Sequence, residues 1–253
     1  MSQKDHYYNK SKQEGYRSRA AYKLKQLDET FSLIKPDATV VDLGAAPGGW
    51  LQVAAERTPE GRVLGVDLQR IETTDLDNVE TIRGNITEAD TQSAITERVG
   101  AADVVLSDMA PNVTGEYELD HARSVHLARQ AFTVATEVLA DGGHFVVKAF
   151  EGPDLADLRS DIDQEFDFVK TTQPDATRES SSELYIVAKK RLTAPVRTGD
   201  RLEVTIETIG DEGDGIAHVD GFTLFVPSTE EGETVEIRVE DVKPRFGFAQ
   251  RID

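Results

Sequence analysis

Residues 39–44 read ThrValValAspLeuGly, an apolar run ending on a glycine; a helical stretch follows at Trp50–Arg57, and a second apolar run, ArgValLeuGlyValAspLeu, occupies 62–68. Strand, glycine turn, helix and strand within about 30 residues make a βαβ unit, which obliges the two strands to lie parallel. Further strands are expected at Val79–Arg83, Asp103–Ser107, His144–Lys148, Phe166–Lys170 and Leu184–Ala188, with helices at about 88–98, 120–139 and 153–164 between them. Ahead of the unit, Arg17 to Phe31 sets Ala20, Leu24, Leu27 and Phe31 on one helical face. Such alternation predicts an α/β fold, a doubly wound and mostly parallel sheet covered on both faces. Ligands of such sheets bind outside the carboxyl ends of the strands.

After Lys190 the texture changes. From about Pro195 onward the chain offers short strands separated by glycine turns and no helical period, which predicts a small C-terminal β-barrel. ThrAlaProValArgThr (193–198) is the expected linker region. The organisation read from the sequence is therefore a first domain over 1–192 that includes a basic N-terminal arm, and a barrel over 193–253.

Charge and composition narrow the function. The formal net charge is −19, yet residues 1–25 carry Lys4, Lys10, Lys12, Arg17, Arg19, Lys23 and Lys25 against Asp5 and Glu14, a local +5 that leaves −24 for the remainder. An acidic body with a basic arm is compatible with one anion-facing region, though a short basic arm can also be a solvated tail. There is no cysteine, so disulfides, zinc–thiolate sites and cysteine nucleophiles are excluded. His6, His121, His126, His144 and His218 lack metal-ligand spacing, and no metal is expected. No apolar run approaches the roughly 18–20 residues of a membrane span, and the first residues lack the apolar centre of a signal peptide. A cytoplasmic protein with no membrane partner and no obligate protein partner is expected.

The turn ValAspLeuGlyAlaAlaProGlyGlyTrp (41–50) lies where the first strand enters the first helix, where glycines permit close approach of backbone to ligand and the helix offers free N–H groups. Gly44, Gly48 and Gly49 do not have the GxGxxG spacing of a dinucleotide loop, which disfavours NAD. Asp67, ending the second strand, is placed to accept hydrogen bonds from ribose hydroxyls. Loop and acid together point to an adenosine-containing cofactor.

AspLeuGlyAlaAlaProGlyGlyTrp (42–50), SerAspMetAlaProAsn (107–112), PheValValLysAlaPhe (145–150), SerSerGluLeuTyrIleVal (181–187) and ArgSerArgAlaAlaTyrLysLeu (17–24) resemble, in order, blocks of the FtsJ-type heat-shock methyltransferases, the large-subunit rRNA uridine 2′-O-methyltransferases. The resemblance covers about residues 8–190. It implies a Rossmann-like methyltransferase sheet, S-adenosyl-L-methionine as cofactor, and a ribosomal RNA partner in the large subunit or its precursor. It also implies cofactor contacts at Gly48, Trp50, Asp67 and Asp108, with the adenine-side acid of the family replaced here by Asn85. An asparagine carbonyl can still accept a hydrogen bond. The abundance of Asp and Glu, with arginine outnumbering lysine, resembles proteins of salt-loving archaea.

The family's Lys–Asp–Lys–Glu set falls on Lys23, Asp108, Lys148 and Glu183. Three of these are independently conspicuous: Asp108 follows the fourth strand, Lys148 ends the fifth and Glu183 enters the last. A lysine directly after PheValVal on a buried strand is costly unless paired. A salt bridge that merely orders the sheet edge is the structural alternative. For methyl transfer to a hydroxyl the site needs a base, and a lysine serves only in its neutral form, which burial and the nearby cation Lys23 would favour. Lys148 is accordingly expected as base, Asp108 as its orienting partner, Lys23 as tuning or oxyanion group and Glu183 as secondary. Pyrimidine-C5 methylation of the covalent kind is excluded for want of cysteine. Adenine-amino methylation is disfavoured because Asp108-Met109-Ala110-Pro111 leads to Asn112 rather than an aromatic. A non-catalytic RNA-binding assembly factor on the same fold is the rival from another class. Residues 195–253 resemble a TRAM domain through GluGlyAspGlyIleAla (212–217), PheThrLeuPheValPro (222–227) and PheGlyPheAlaGln (246–250). Phe246 and Phe248 could stack bases there, with Arg238, Lys243 and Arg245 on phosphate.

Overall fold

The computed structural model describes residues 3–71, 77–178 and 181–252, apart from the side chains of residues 3–5, so Lys4 of the basic arm lies outside the described side chains. Helix α1 (Gln3–Gln13) precedes α2 (Ala21–Phe31), and then strands and helices alternate: β1 (Thr39–Leu43), α3 (Gly49–Arg57), β2 (Arg62–Asp67), β3 (Val79–Arg83), α4 (Ala89–Val99), β4 (Ala102–Ser107), α5 (Tyr117–Val138), β5 (Leu139–Phe150), α6 (Leu155–Asp163), β6 (Phe166–Thr172) and β7 (Glu183–Arg191). The seven strands form one sheet in the order β3-β2-β1-β4-β5-β7-β6. Only β7 runs against the others, inserted between β5 and β6. Its first residue, Glu183, therefore pairs with Phe150 at the carboxyl end of β5, the edge where the parallel strands end.

Both faces of the sheet are covered, as continuous apolar strands require. Ile95 and Val99 of α4, Val125, Ala128 and Val134 of α5, and Leu158 and Ile162 of α6 pack on one face with Val41, Leu43, Val105 and Phe145. Leu24 and Leu27 of α2 and Trp50, Leu51 and Val53 of α3 pack on the other with Val40, Val63, Leu106 and Val146. At about 25 cal/mol per Å² of apolar surface, side chains such as Leu24, Leu51, Leu158 and Ile162, all essentially inaccessible, each contribute roughly 1.5–3 kcal/mol to holding the helices on the sheet. The expected helix from Arg17 begins only at Ala21, because Arg17–Ala20 is tied down across the chain: the Arg17 N–H donates to Gln52 Oε1 at 2.8 Å and Trp50 Nε1 donates to the Ala20 carbonyl at 2.8 Å.

The remaining strands, β8 (Arg201–Thr205), β9 (Thr208–Ile209), β10 (Gly215–Val219), β11 (Phe222–Val226), β12 (Thr234–Val242) and β13 (Phe246–Arg251), form a second sheet in the order β8-β12-β13-β11-β10-β9. β10 packs back on β8, so the sheet curls into a small barrel around its own core of Val204, Ile206, Leu224, Val226, Ile237 and Val239. Ion pairs join it to the first sheet: Lys243 reaches Asp167 of β6 at 3.1 Å, and Glu165 is shared by Arg191 and by Arg197, the latter at 3.1 Å.

Candidate active site

The carboxyl ends of β1, β2, β3 and β4 converge on a cavity of about 560 Å³, lined among others by Gly44, Asp67, Asn85, Ile86, Met109 and Asn112. Its floor depends on glycine. Gly44 has φ of +77°, a conformation that side chains resist, and a Cβ there would come within 2.1 Å of Met109 Cγ. Asp67 supports the same turn: Oδ2 accepts the Ala46 N–H at 3.0 Å and Oδ1 accepts the Gln69 N–H at 2.7 Å. Each oxygen keeps a second lone pair for a hydroxyl arriving from the cavity. The size, the acceptor at the end of β2, and the apolar walls given by Leu68, Ile86 and Met109 fit an adenosine group.

Gly48 and Trp50 stand elsewhere, outside the lining of this cavity. The Trp50 side chain is 3% exposed and packs beside Tyr185. Gly48 (φ +105°) and Gly49 make room for the chain ahead of α2, since a Cβ would come within 3.0 Å of Arg17 Nη1 at the first and 2.3 Å of Ser18 Oγ at the second. Thus only part of the glycine turn faces the cavity. The rest seats the segment that carries Lys23 onto the sheet.

Beside the cavity, Asp108 gathers the charged side chains. Lys148 Nζ lies 2.9 Å from Asp108 Oδ1 and donates to the Asp108 carbonyl oxygen at 2.5 Å. Lys23 Nζ is 2.5 Å from Glu183 Oε1 and 3.9 Å from Asp108 Oδ1. All four sequence-derived candidates, contributed by α2, the loop after β4, β5 and β7, are brought together. A fifth member was not anticipated: Tyr185 donates its hydroxyl to Asp108 Oδ1 at 2.6 Å, and its ring lies 5.6 Å beneath Lys23 Nζ. The signal was available in the strand period, because Glu183 and Tyr185 are two apart on β7 and point to the same face. Tyr185 is also opposite Lys148 in the β5–β7 register.

Electrostatics agree with this geometry. Burial alone would raise the Asp108 carboxyl, but the Lys148 ammonium, then Lys23 and the Tyr185 hydroxyl, outweigh it and hold Asp108 below the usual carboxylate range. Burial, reinforced by the charges of Asp108 and Glu183, pushes the Tyr185 phenol well above its ordinary value, so it remains a donor. Asp42 on β1, 1% exposed, was also missed as a special residue; its Oδ2 has no hydrogen-bond partner. Burial, with Asp108 and Asp67 nearby, pushes its carboxyl well above the usual range.

A doubly wound sheet with one reversed strand, an adenosine-sized cavity at its carboxyl edge and a buried lysine–carboxylate cluster beside it define a Rossmann-like methyltransferase. The FtsJ-like methyltransferase model matches residues 16–191 and the TRAM domain model matches 195–252, and the chain belongs to the FtsJ-like methyltransferase family, with a TRAM domain appended. Ribosomal RNA large subunit methyltransferase E of Natronomonas pharaonis is 64% identical over 254 residues, covering 100% of both chains. The protein of the same name from Halorubrum lacusprofundi is 63% identical over 256 residues, covering 100% of this chain and 95% of its own. A Plasmodium falciparum protein crystallised under the name of a ribosomal RNA methyltransferase superposes with a TM-score of 0.63 at 30% identity, covering 70% of this chain and 98% of that one. Among the described residues, no helix is long and apolar enough to cross a membrane.

Proposed function

We propose that the chain transfers a methyl group from S-adenosyl-L-methionine to the ribose 2′-hydroxyl of a uridine in 23S ribosomal RNA, in the cytoplasm, during maturation of the large subunit. The observation that carries this is the Lys148–Asp108–Lys23–Glu183 cluster beside the adenosine-sized cavity, joined to it through Asp108. The names of the relatives supply the RNA class. When bound, the cofactor supplies an electrophilic methyl group on a sulfonium. Asp67 would hold the ribose hydroxyls of that cofactor and Asn85 the base. Gly48 and Trp50 bear on it through the loop they shape.

Lys148 is proposed as the base. Both of its oxygen neighbours accept hydrogen bonds from Nζ, and as base Lys148 acts as the free amine, its own proton having passed to solvent, and takes the proton of the target hydroxyl as that oxygen bonds to the methyl carbon. Lys23 makes that release feasible by leaving Asp108 a counter-charge when Lys148 is neutral. Asp108 aims the amine, and Glu183 holds Lys23. The exposed aromatics of the barrel, Phe246 and Phe248, are proposed to stack unpaired bases. The test is transfer to large-subunit rRNA with ribose-methylation mapping of the product: a single 2′-O-methyluridine is expected, and a methyl group on a base would overturn the assignment.

A further inference from the structure

β6 is an edge strand of the first sheet, and its residues alternate between the two faces. Phe168, Lys170 and Thr172 fall on the face that α2 covers: they pair in turn with Lys189, Val187 and Tyr185 of β7, and Val187 and Tyr185 belong to the core under α2. The cover is incomplete. The Phe168 ring packs on Phe31 with centroids 6.3 Å apart and is still 41% exposed, and Lys170 Nζ lies 5.7 Å over the same Phe31 ring. Among the described residues no carboxylate pairs with Lys170, whereas Lys190 and Lys243 close by are both held by Asp167. An exposed ring beside a cation without a carboxylate partner offers one contact to a base and one to a phosphate.

Both ends of this row lead to parts of the molecule already described. At the amino end, Asp167 holds Lys243 of the barrel at 3.1 Å, and the Lys243 N–H donates to the Phe246 carbonyl, so the turn bearing one of the exposed barrel rings stands at the residue next to Phe168. At the carboxyl end, a cavity of about 370 Å³ opens between α2 and the chain leaving β6, lined among others by Phe31, Thr172 and Gln173. Gln173 Nε2 donates to the Glu183 carbonyl at 3.0 Å, which brings the end of the cavity to the Lys23–Glu183 pair. Glu29 and Asp175 also line it, so it suits the uncharged faces of bases rather than phosphates. We infer that the α2 face of β6, with Phe168, Lys170 and Phe31, is a binding surface for single-stranded RNA that carries the strand between the barrel aromatics and the Lys148 cluster. Phe168 stacks a base and Lys170 holds a phosphate. The inference rests on the proposal that the chain methylates RNA.

Fluorescence anisotropy of the full chain with a labelled single-stranded RNA of about 12 nucleotides, a length that such grooves occupy, tests it across a series of salt concentrations. Phe168→Ala should weaken binding at least about fivefold, the lower end of the loss of one stacked base, and Phe168→Trp should restore it. Lys170→Gln should weaken binding and reduce the slope of log affinity against log salt by about 0.7, the share of one single-strand phosphate, whereas Phe168→Ala should leave that slope as it is. Affinity for S-adenosylhomocysteine and melting temperature check that each variant is folded. Wild-type RNA affinity in both variants would overturn the inference, as would a wild-type chain that methylates rRNA yet fails to hold the strand. Loss of self-association in Phe168→Ala with RNA affinity intact would also overturn it, making this face a contact between copies of the chain. If the wild type transfers no methyl group to rRNA, the proposed function itself falls and the inference with it.

Discussion

Lys148 and Asp42 are both buried ionisable side chains within reach of Asp108, and they differ in what surrounds them. Lys148 has a carboxylate and a carbonyl within 2.9 Å, while Asp42 has other carboxylates nearby and an oxygen without a hydrogen-bond partner. Lys148→Ala should abolish transfer and leave S-adenosylmethionine affinity nearly unchanged by calorimetry. Lys148→Arg should be equally inactive because a guanidinium stays protonated. Substantial turnover by the arginine variant would rule out the base role. For Asp42 the folded-state value is raised, so the native protein holds a proton that the unfolded chain releases above about pH 4. Its contribution to stability is complete below that point and is lost as pH rises towards the folded value. Asp42→Asn removes the titration while keeping the shape. Its melting temperature should match the wild type near pH 4 and exceed it increasingly towards neutral pH, and a constant difference across that range would refute the neutral acid.

At the scale of the element, the strands were legible, including β3, whose Val-Glu-Thr-Ile-Arg is neither apolar throughout nor buried. β3 occupies the expected Val79–Arg83, and β4 begins one residue early. Boundaries failed where a distant partner decides them. β5 starts at Leu139 rather than His144, because Leu139 pairs with Ala102 before a register shift lets Gly142 and Gly143 pass. α1 carries no apolar stripe to betray it, and it is held through rings instead: Tyr7 packs on Tyr22, and Lys10 lies 4.8 Å over Tyr22. The site shows the same division. Lys23, Asp108, Lys148 and Glu183 could be matched one by one from sequence blocks, whereas the strand period could put Tyr185 on the face of Glu183 without naming Asp108, 77 positions away, as its partner. In the barrel, Phe225, Phe246 and Phe248 pack against one another, Phe246 edge-on to both others, with centroids 5.5–5.8 Å apart, leaving Phe246 and Phe248 37% and 43% exposed. Phe248→Ala and Phe246→Ala should raise KM for RNA without lowering kcat, since base stacking holds ground and transition states alike. A fall in kcat at constant KM would mean that the barrel positions the target ribose.

On the scale of the whole molecule, the −19 charge is unevenly spent. Lys10 and Lys25 of the basic arm are already engaged with Glu14, Glu56 and tyrosine rings, so the acidic body opposes RNA with little local relief. Salt screens this repulsion, over a Debye length of about 3 Å near 1 M. Methylation rates should rise with potassium chloride before phosphate contacts weaken, and a steady fall from low salt upward would contradict the picture. The joint between the two sheets is made of the same charges. Glu165 and Asp167 hold Arg191, Arg197, Lys190 and Lys243, with the Arg191 side chain only 10% exposed and thus poorly reached by counterions. A barrel fixed at several points does not wander on a tether. Its effective concentration with respect to the Lys148 cluster is then set by the fold, and because the joint sits at the Phe166–Arg191 end of β6 and β7, opposite the edge that carries Glu183, RNA held by the barrel would have to span the depth of the sheet to reach Lys148.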